Sequence, residues 1–359
     1  SGTRKAVQRS TVVLASTCQQ AVGYHMSAHK GDDVVFETVV VDEAARANPL
    51  DLFIPLSLAE RRIILVGDHR QLPHILDYEI ECELDKNVND KTEEMLRKSL
   101  FERLFNAMRK REQSDGIKRT VTLNKQYRMH PVLGSFISDV FYKDDVELES
   151  GKPPEDFKHD LVNYKNAVAA WIDIPISRGY ESGKQSKKRL VETKWIAKET
   201  LRILNERQDL SVGVITFYSA QVNELMIQME QYGLTEQSDE GTYHISDNWR
   251  ETRDHDGRLI ERLRIGTVDA FQGKEFDVVL LSMTRSNEYK VSDEKSLRRK
   301  YGHLMLKNRL CVAMSRQKRL LIVVGDSNML FHSEAFNVID GLVKFHELCG
   351  GEYGTQIHG

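Results

Sequence analysis

Long continuous runs of aliphatic residues are the main feature of the hydrophobic pattern. Such runs predict strands that are buried on both faces, as in the parallel sheets of α/β proteins. Segments with helical spacing separate several runs, which is the order expected of strand–helix–strand units. The predicted fold class is therefore α/β with parallel sheets. The predicted strands are 11–17, 34–41, 62–66, 121–123, 212–217, 264–268, 278–283 and 320–324.

The strands fall into two successive sets, which predict two domains. A chain of 359 residues is long enough for two full cores at roughly 150 residues per domain. We place the first domain at 1–140, the second at 141–345 and a C-terminal tail at 346–359. Loop signals are concentrated at 143–194, and the polar stretch 235–262 is expected to be an inserted loop or hairpin.

Two stretches have the spacing of helices with one apolar face. One covers residues 195–204. The other carries apolar positions that we expect to lie in a core: Leu96, Leu100, Leu104, Phe105 and Met108. The basic run 184–189 is expected to be a solvated loop rather than a binding site.

Composition excludes some classes of protein. The 51 basic and 54 acidic residues give a formal charge of -3, so nucleic-acid binding would need a local groove and not a general positive field. No run approaches the ~20 apolar residues of a membrane span. We expect a soluble, intracellular protein. Buried thiols in a reducing compartment are expected for the widely spaced cysteines Cys18, Cys82, Cys311 and Cys349.

Two adjacent acids, Asp42 and Glu43, directly follow the predicted strand 34–41. Ligands of parallel sheets bind at the carboxyl ends of the strands, so these acids are expected at the edge of a site. In a nucleotide hydrolase an Asp at this position holds Mg²⁺, usually through water, and a Glu polarises the attacking water. The alternative is that both acids cap the following helix, whose first turn also favours negative charge.

Polar residues near other strand ends have two interpretations each. Gln71 could orient a terminal phosphate or simply belong to a turn. Thr17 could contact a nucleic-acid backbone or cap a helix. Tyr127 could stack on a base and Arg128 could stabilise a γ-phosphate, although such a pair is also common at surfaces. Arg316 lies near the end of the helix-like segment 307–317, where compensation of the helix dipole explains it on local evidence.

Read together, five motifs resemble those of superfamily 1 helicases, in particular the up-frameshift/senataxin-like branch. Each motif is short, but the five occur in family order over about residues 11 to 326. The resemblance favours the functional interpretation of Asp42, Arg128 and Arg316. The motifs are Val41-Asp42-Glu43-Ala44-Ala45, Gly67-Asp68-His69-Arg70-Gln71-Leu72-Pro73, Gln126-Tyr127-Arg128-Met129-His130-Pro131, Thr267-Val268-Asp269-Ala270-Phe271-Gln272-Gly273-Lys274-Glu275 and Val312-Ala313-Met314-Ser315-Arg316.

The resemblance implies two RecA-like domains, the first incomplete, with ATP bound in the cleft between them. Asp42 would help to hold Mg²⁺, Glu43 would activate water, and Gln71 would sense the γ-phosphate. Arg128 and Arg316 would reach the γ-phosphate from the second domain or its border.

Binding of the rest of the nucleotide, and of nucleic acid, is implied as well. Tyr127 would stack near adenine and Glu275 would contact ribose. Asp68 and Gly273 would complete the nucleotide-binding set, since glycine permits close backbone approach. Single-stranded DNA or RNA would lie across both domains, and the motor would step 5′ to 3′. The implied contacts to nucleic acid are Thr17, Tyr218, Thr267 and Arg285.

One family motif is absent from the sequence. No Gly-x-x-x-x-Gly-Lys-Ser/Thr phosphate loop occurs, and the Gly-Lys pairs at 151, 183 and 273 are followed by Pro, Gln and Glu. The family places this loop upstream, so we expect the chain to be the C-terminal portion of a larger helicase. The upstream part of the protein would then be a partner, and the chain alone would be inactive.

An ATP-dependent helicase or translocase is the leading hypothesis, and two alternatives stay open. One is a non-catalytic module that binds nucleic acid or docks a partner, which the retained acids and arginines argue against. The other is a nucleotide-dependent switch that remodels ribonucleoprotein without unwinding a duplex.

Overall fold

The computed structural model describes residues 13–23, 36–72, 98–254 and 256–359. They belong to two compact units, 1–121 and 122–359, each with its own hydrophobic core. None of the described helices is long and apolar enough to cross a membrane.

The first unit contains a parallel pair of strands joined by a helix. Because the strands are parallel, Val41 at the end of one lies opposite Leu65 at the end of the other, and both carboxyl ends share one edge. Its described elements are a 3-10 helix (Gln19–Val22), β1 (Phe36–Val41), α1 (Pro49–Leu56), β2 (Ala59–Leu65) and α2 (Leu100–Asp115). Its core consists of Val41, Ala44, Ala45, Leu52 and Phe101.

Local sequence explains where the helices of this unit begin and end. Asn48 caps α1 by accepting a hydrogen bond from the Leu50 amide at 2.9 Å, and Pro49 occupies the first helical position. Ser99 caps α2, and Gly116 ends it in the left-handed conformation with φ of 70°.

Three predictions for the first 123 residues were wrong in part. Residues 13–17 form no strand, and the Val13 side chain is 79% exposed. Residues 121–123 also form no strand, and pairing begins only at Lys125. In α2 the side chain of Phe101 is buried, whereas that of Met108, a predicted core residue, is 37% exposed. Residues 11, 12, 34, 35, 82 and 96, which also carry predictions, lie outside the described part of the chain.

The second unit is organised by a six-stranded sheet in which every neighbouring pair is parallel. Numbered in chain order, its strands are β5 (Ala169–Asp173), β6 (Val212–Thr216), β11 (Leu263–Thr267), β12 (Phe276–Ser282), β13 (Gln317–Gly325) and β14 (Gly354–His358). The strand order is β11-β6-β12-β13-β5-β14. This sheet confirms the predicted α/β class.

Short strands form three further pairs outside the main sheet. The parallel pair consists of β3 (Lys125–Gln126) and β4 (Glu149–Ser150). The predicted insertion at 235–262 consists largely of two antiparallel hairpins, which confirms its hairpin character. These hairpin strands are β7 (Thr235–Gln237), β8 (Tyr243–Ile245), β9 (Glu251–Arg253) and β10 (Leu259–Glu261).

Helices occupy most of the connections in the second unit. The α-helices are α3 (Pro131–Ile137), α4 (Leu190–Glu206), α5 (Ser219–Glu230), α6 (Asp247–Arg250), α7 (Glu294–Tyr301), α8 (Lys307–Ala313), α9 (Ala335–Val338) and α10 (Asp340–Cys349). A π-helix covers Ser138–Tyr142. The 3-10 helices are Pro154–Phe157, Ile176–Arg178, Val268–Phe271, Gly302–Met305 and Ser327–Leu330.

Burial explains both the success and the failure of strand prediction here. Every residue of β12 is buried, and its aliphatic run was predicted correctly. Strand β5 was not predicted, because its Ala-Ala-Trp-Ile-Asp lacks a long aliphatic run, although Trp171 is fully buried. The helix-like segment predicted at 307–317 ends at Ala313 in α8, and Gln317 instead begins β13.

Both expected domain boundaries differ from the observed packing. The two compact units divide between Val121 and Thr122, and not near residue 140. His130 and Phe136 lie within the second unit: the His130 amide donates to Lys318 O at 2.9 Å, and the Phe136 and Phe345 rings lie 5.4 Å apart. The expected C-terminal tail contains β14, which pairs with β5.

The basic run at 184–189 is only partly a solvated loop. Arg189 is fully buried, and its guanidinium donates to the carbonyls of Ile174, Pro175 and Gly179 and to the Glu192 carboxylate at distances of 2.8–3.0 Å. The last residue of the run is therefore a structural anchor, while Lys184 is exposed as expected.

Candidate functional site

Asp42 and Glu43 lie on the turn that directly follows β1. Both residues are exposed, and the Glu43 amide donates to Asp42 Oδ1 at 2.9 Å. Hydrogen bonds between the carbonyl of Val41 and the amide of Val66, and between the carbonyl of Val66 and the amide of Ala44, tie this turn to the end of β2. The acids therefore lie at the carboxyl edge of the parallel pair, where they were predicted.

The backbone of Glu43 adopts an unusual conformation, as is common at functional sites. Its φ is 53°, in the left-handed region that residues other than glycine and asparagine seldom adopt. The helix that follows is capped by Asn48, so the alternative that Asp42 and Glu43 cap it does not apply.

Gly67 allows the ends of β1 and β2 to approach closely. A Cβ atom at this position would lie 2.9 Å from the Ala45 amide nitrogen, which is closer than Cβ atoms are found in proteins. Asp68 follows, and its carboxylate accepts hydrogen bonds from the Arg70 amide and from Gln71 Nε2 at 3.0 and 2.8 Å. Asp68 thus orients Gln71 on the same edge as the two acids.

In the second unit a short turn presents Tyr127 and Arg128. The Gln126 side chain organises it: Oε1 accepts from the amides of Arg128 and Met129 at 3.0 Å, and Nε2 donates to Ser150 Oγ at 2.7 Å. The Tyr127 side chain is 56% exposed. Gln126 therefore has a positioning role that the sequence analysis did not assign.

Arg128 connects three of the predicted motifs. Its Nε donates to Glu275 Oε2 at 3.1 Å, and its Nη1 donates to the carbonyl of Ser315 at 3.1 Å. Lys318 Nζ lies 3.0 Å from the other oxygen of Glu275. Three segments that are distant in sequence thus meet at one place in the second unit.

The carboxylate at the centre of this cluster is held ionised. Partial burial by itself would raise the pKa of Glu275, but the hydrogen bond and charge of Lys318 and the charge of Arg128 lower the pKa below its ordinary value. A cationic pair around a single carboxylate leaves a net positive charge, which suits a polyanionic ligand.

Arg316 is buried in this structure. It is 1% exposed, and its guanidinium donates to the carbonyl of Val312 at 3.2 Å and to Ser315 Oγ at 2.9 Å. The contact with a carbonyl of the last turn of α8 is what the helix-dipole interpretation predicts. A role at phosphate stays a prediction and would require the side chain to move.

Gly273 lies in an open loop with φ of 73°, and apart from its chain neighbours no heavy atom of the described residues lies within 4 Å of the Cβ position. A ligand can therefore approach its backbone closely. Arg309, which the sequence analysis did not single out, lies at the start of α8 and donates to Asp269 Oδ2 at 2.6 Å. This ion pair connects α8 to the loop that carries Gly273.

Two of the four predicted nucleic-acid contacts are buried. Arg285 is 3% exposed and pairs with Glu181 Oε2 at 2.9 Å, while Tyr218 is 4% exposed and stacks on His303 with ring centroids 4.8 Å apart. Arg285 Nη1 also donates to the Tyr218 hydroxyl at 3.3 Å. Both side chains are therefore largely inaccessible as placed, and their direct contact with nucleic acid stays a prediction.

The other two predicted contacts are more accessible. Thr17 is exposed, and its hydroxyl oxygen accepts from the Gln20 amide at 3.3 Å, which agrees with the capping alternative. Thr267 is half-buried at the end of β11. Neither position excludes a contact with a phosphate group.

A buried polar network at the ends of β6 and β12 was missed by the sequence analysis. The Glu192 carboxylate accepts from Arg189 Nη1, from Ser282 Oγ and from the Thr284 amide, all within 3.0 Å. Burial raises the pKa of Glu192, although Arg189 opposes this shift. Thr284 has φ of 65°, a strained conformation for a β-branched residue, and the network holds it there.

The acids of the first unit fit a nucleotide-bound magnesium ion better than a resident metal. Within the described residues there is no group of three or more His, Cys, Asp or Glu side chains that could hold an ion. Mg²⁺ in nucleotide hydrolases keeps several waters and takes one or two carboxylates together with substrate phosphates. The exposed carboxylate of Asp42 meets that smaller requirement.

Two protein families, each described as AAA domain, match this chain. One matches residues 96–328 and the other residues 1–77. Together they include all of the motif residues discussed above. The first match alone covers more than half of the 359 residues.

Relatives are found among larger proteins of known name. A Drosophila melanogaster protein named regulator of nonsense transcripts 1 homolog is 29% identical over 90% of this chain and 23% of its own length. Helicase sen1 of Schizosaccharomyces pombe is 28% identical over 91% of this chain and 16% of its own length. ATP-dependent helicase upf1 of the same yeast is 27% identical over 91% of this chain and 30% of its own length. The chain thus spans less than a third of each relative.

Proposed function

Because the chain belongs to the AAA-domain family of superfamily 1 helicases, in its up-frameshift/senataxin-like branch, we propose that it is part of an ATP-dependent motor on single-stranded DNA or RNA. One observation carries the proposal. Arg128 lies against Glu275 and the carbonyl of Ser315, so side chains suited to a nucleotide converge from three motifs. Pure scaffolding would not need a cationic group held in this way.

The first unit supplies the hydrolytic groups in this proposal. Asp42 would hold the magnesium ion of MgATP through water, and a bound ion would neutralise phosphate charge. Glu43 accepts a proton from the attacking water, and its carboxylate is exposed and placed by an unusual backbone conformation. Gln71, oriented by Asp68, donates to a γ-phosphate oxygen or to that water.

The second unit supplies binding groups and positive charge. Tyr127 stacks on adenine, the backbone at Gly273 approaches phosphate or sugar, and Glu275 accepts from a ribose hydroxyl. Arg128 exchanges its bond to Glu275 for the γ-phosphate, which stabilises charge that develops in the transition state. Arg316 assists if it leaves the carbonyl of Val312.

We propose that upstream sequence of the same protein supplies the phosphate loop. The sequence contains no Gly-x-x-x-x-Gly-Lys-Ser/Thr, and the chain spans only 16–30% of the relatives described above. Without the backbone amides and the lysine of that loop, the β- and γ-phosphates lose the groups that chiefly bind them.

ATP hydrolysis tests the proposal directly. The 359-residue chain and a version extended upstream through the next Gly-Lys-Ser/Thr would be assayed with Mg²⁺, with and without single-stranded DNA or RNA. Turnover by the extended version alone, stimulated by nucleic acid, is the expected result. Equal turnover by the short chain would contradict the need for a phosphate loop. Absence of turnover in both would favour the non-catalytic binding module.

Strand displacement tests the motor itself. Duplexes with a single-stranded 5′ or 3′ overhang would be offered to the extended protein with ATP. Displacement from the 5′ overhang only is expected for 5′ to 3′ movement. Nucleic-acid-stimulated hydrolysis without displacement of either substrate would instead favour a switch that remodels ribonucleoprotein.

A further inference from the structure

Gly151 lies directly against the ring of Tyr127. A Cβ atom at Gly151 would lie 2.2 Å from Tyr127 Cε1 and 2.6 Å from Cδ1 and Cζ. Carbon atoms in contact are normally about 3.5–4.0 Å apart, so any side chain here would displace the ring by about 1 Å or more. Glycine is the only residue that leaves the ring where it is.

The backbone around Gly151 has little freedom to retreat from that contact. Strand β4 runs parallel to β3, and beyond this pair the Gly151 amide donates to the carbonyl of Gln126 at 2.8 Å. The Gln126 side chain also donates to Ser150 Oγ at 2.7 Å. Gln126, the residue that directly precedes Tyr127, is thus bound through both its backbone and its side chain to the segment that carries Gly151.

The ring itself remains accessible. Tyr127 is 56% exposed although one side of it rests on the glycine. An aromatic ring that is supported on one face and open on the other is suited to stacking on a planar base.

We propose that Gly151 is a positioning residue for nucleotide binding. It fixes the position of the Tyr127 ring, so that one face of the ring rests on Gly151 and the other face is free to stack on the purine base. This inference rests on the proposed function, because it assumes that Tyr127 stacks on adenine. Gly151 does not act on phosphates; its contribution is confined to the base.

The same geometry separates this role from a role in stability. Gly151 does not adopt a positive φ, so alanine is allowed by its backbone. The atoms that would collide belong to an exposed side chain with free torsions, which can swing outwards at small cost to the fold. A Gly151→Ala variant should therefore fold normally and bind the base poorly.

Equilibrium binding to the full-length protein tests this. Two probes would be compared: ATP with Mg²⁺, and tripolyphosphate with Mg²⁺, which lacks base and sugar. Since base stacking contributes about 1–3 kcal/mol, Gly151→Ala should raise the Kd for ATP about tenfold and leave the Kd for tripolyphosphate unchanged. Thermal unfolding should stay within about 1 °C of the parent.

Gly350→Ala is the matched control. It makes the same chemical change at an exposed glycine with φ of −83°, where the nearest atoms to a Cβ lie 3.4 Å and 3.5 Å away. Both dissociation constants and the unfolding temperature should match those of the parent protein.

A double-mutant cycle with Tyr127→Ala identifies the route of the effect. In the Tyr127→Ala background, Gly151→Ala should cause no further loss of ATP binding. If Gly151→Ala still weakens binding there, or weakens tripolyphosphate equally, it does not act through the ring and the inference is overturned.

Failure of this inference can be told apart from failure of the proposed function. If Tyr127→Ala weakens ATP binding and Gly151→Ala does not, the platform role of Gly151 is wrong while the function stands. If Tyr127→Ala has no effect, or the parent protein binds no ATP, the assumed nucleotide contact fails and Gly151 loses its role with it.

Discussion

The Nε atom of Arg128 lies 3.1 Å from Oε2 of Glu275, although 147 residues separate them in sequence. Each residue belongs to a different motif, and each is expected to contact a different part of ATP. The two side chains form an ion pair, and Lys318 Nζ lies 3.0 Å from the second carboxylate oxygen. Binding of ATP would therefore exchange one ion pair for contacts to phosphate and ribose.

Replacement of Arg128 should abolish turnover. An arginine that stabilises a γ-phosphate contributes about 10³-fold or more to kcat, so Arg128→Ala in the extended protein should lower kcat by about that factor. Arg128→Lys should recover only part of it, because lysine lacks the planar fork. Steady-state ATP hydrolysis measures both. The control variant is Arg250→Ala, at a solvent-exposed ion pair in the hairpin region, which should leave kcat unchanged. A normal kcat for Arg128→Ala would show that Arg128 has no role in catalysis.

Glu43 offers a second test, which separates chemistry from backbone strain. Glu43→Gln should lower kcat by about 10²-fold or more, since the base that activates water is lost. Glu43→Gly should be equally inactive and yet no less stable, because glycine adopts the observed φ of 53° without strain. Hydrolysis rates and urea unfolding of the three proteins provide the comparison. Full stimulated hydrolysis by Glu43→Gln would contradict the assigned role.

The buried ion pair of Arg189 and Glu192 predicts a large loss of stability on mutation. Arg189→Met would leave the Glu192 carboxylate and the carbonyl of Ile174 buried without their partner, at a cost of about 3–5 kcal/mol. Lys184→Met in the same basic run should change stability by less than about 0.5 kcal/mol, because Lys184 is exposed. Urea unfolding measures both, and equal midpoints would show that the buried contacts are unimportant.

Two buried histidines predict a loss of stability on mild acidification. Burial lowers the pKa of both His130 and His159 from the ordinary 6.5. Nδ1 of His130 accepts from the Val132 amide, and Nδ1 of His159 accepts from the Leu161 amide, so protonation would break each bond. Both rings are therefore neutral in the folded state near neutral pH.

The direction of the pH effect on stability follows from the number of protons that the folded and unfolded chains bind. Below about pH 6.5 the unfolded chain binds protons that the folded chain does not, so stability falls as pH decreases from there, by up to about 1.4 kcal/mol per pH unit for each histidine. Urea unfolding at pH 7.5, 6.5 and 5.5 measures this slope. His159→Gln should reduce it, whereas His358→Gln should not, since the side chain of His358 is 98% exposed. A flat profile in the parent would contradict the prediction.

Some features of this protein were determined by its sequence alone. Continuous aliphatic runs predicted β6, β12 and most of β13, because strands buried on both faces admit few polar residues. The position of Asp42 and Glu43 also followed from sequence, since a polar pair at the end of such a run must lie at the sheet edge.

Other features were decided only by tertiary structure. The sequence does not show that Arg128 meets Glu275, that Arg285 is buried against Glu181, or that Gly151 supports Tyr127. Hydrophobic periodicity reports the environment of each residue along its own strand or helix. Contacts between distant segments depend instead on strand order, register and close packing, which arise when the whole unit folds.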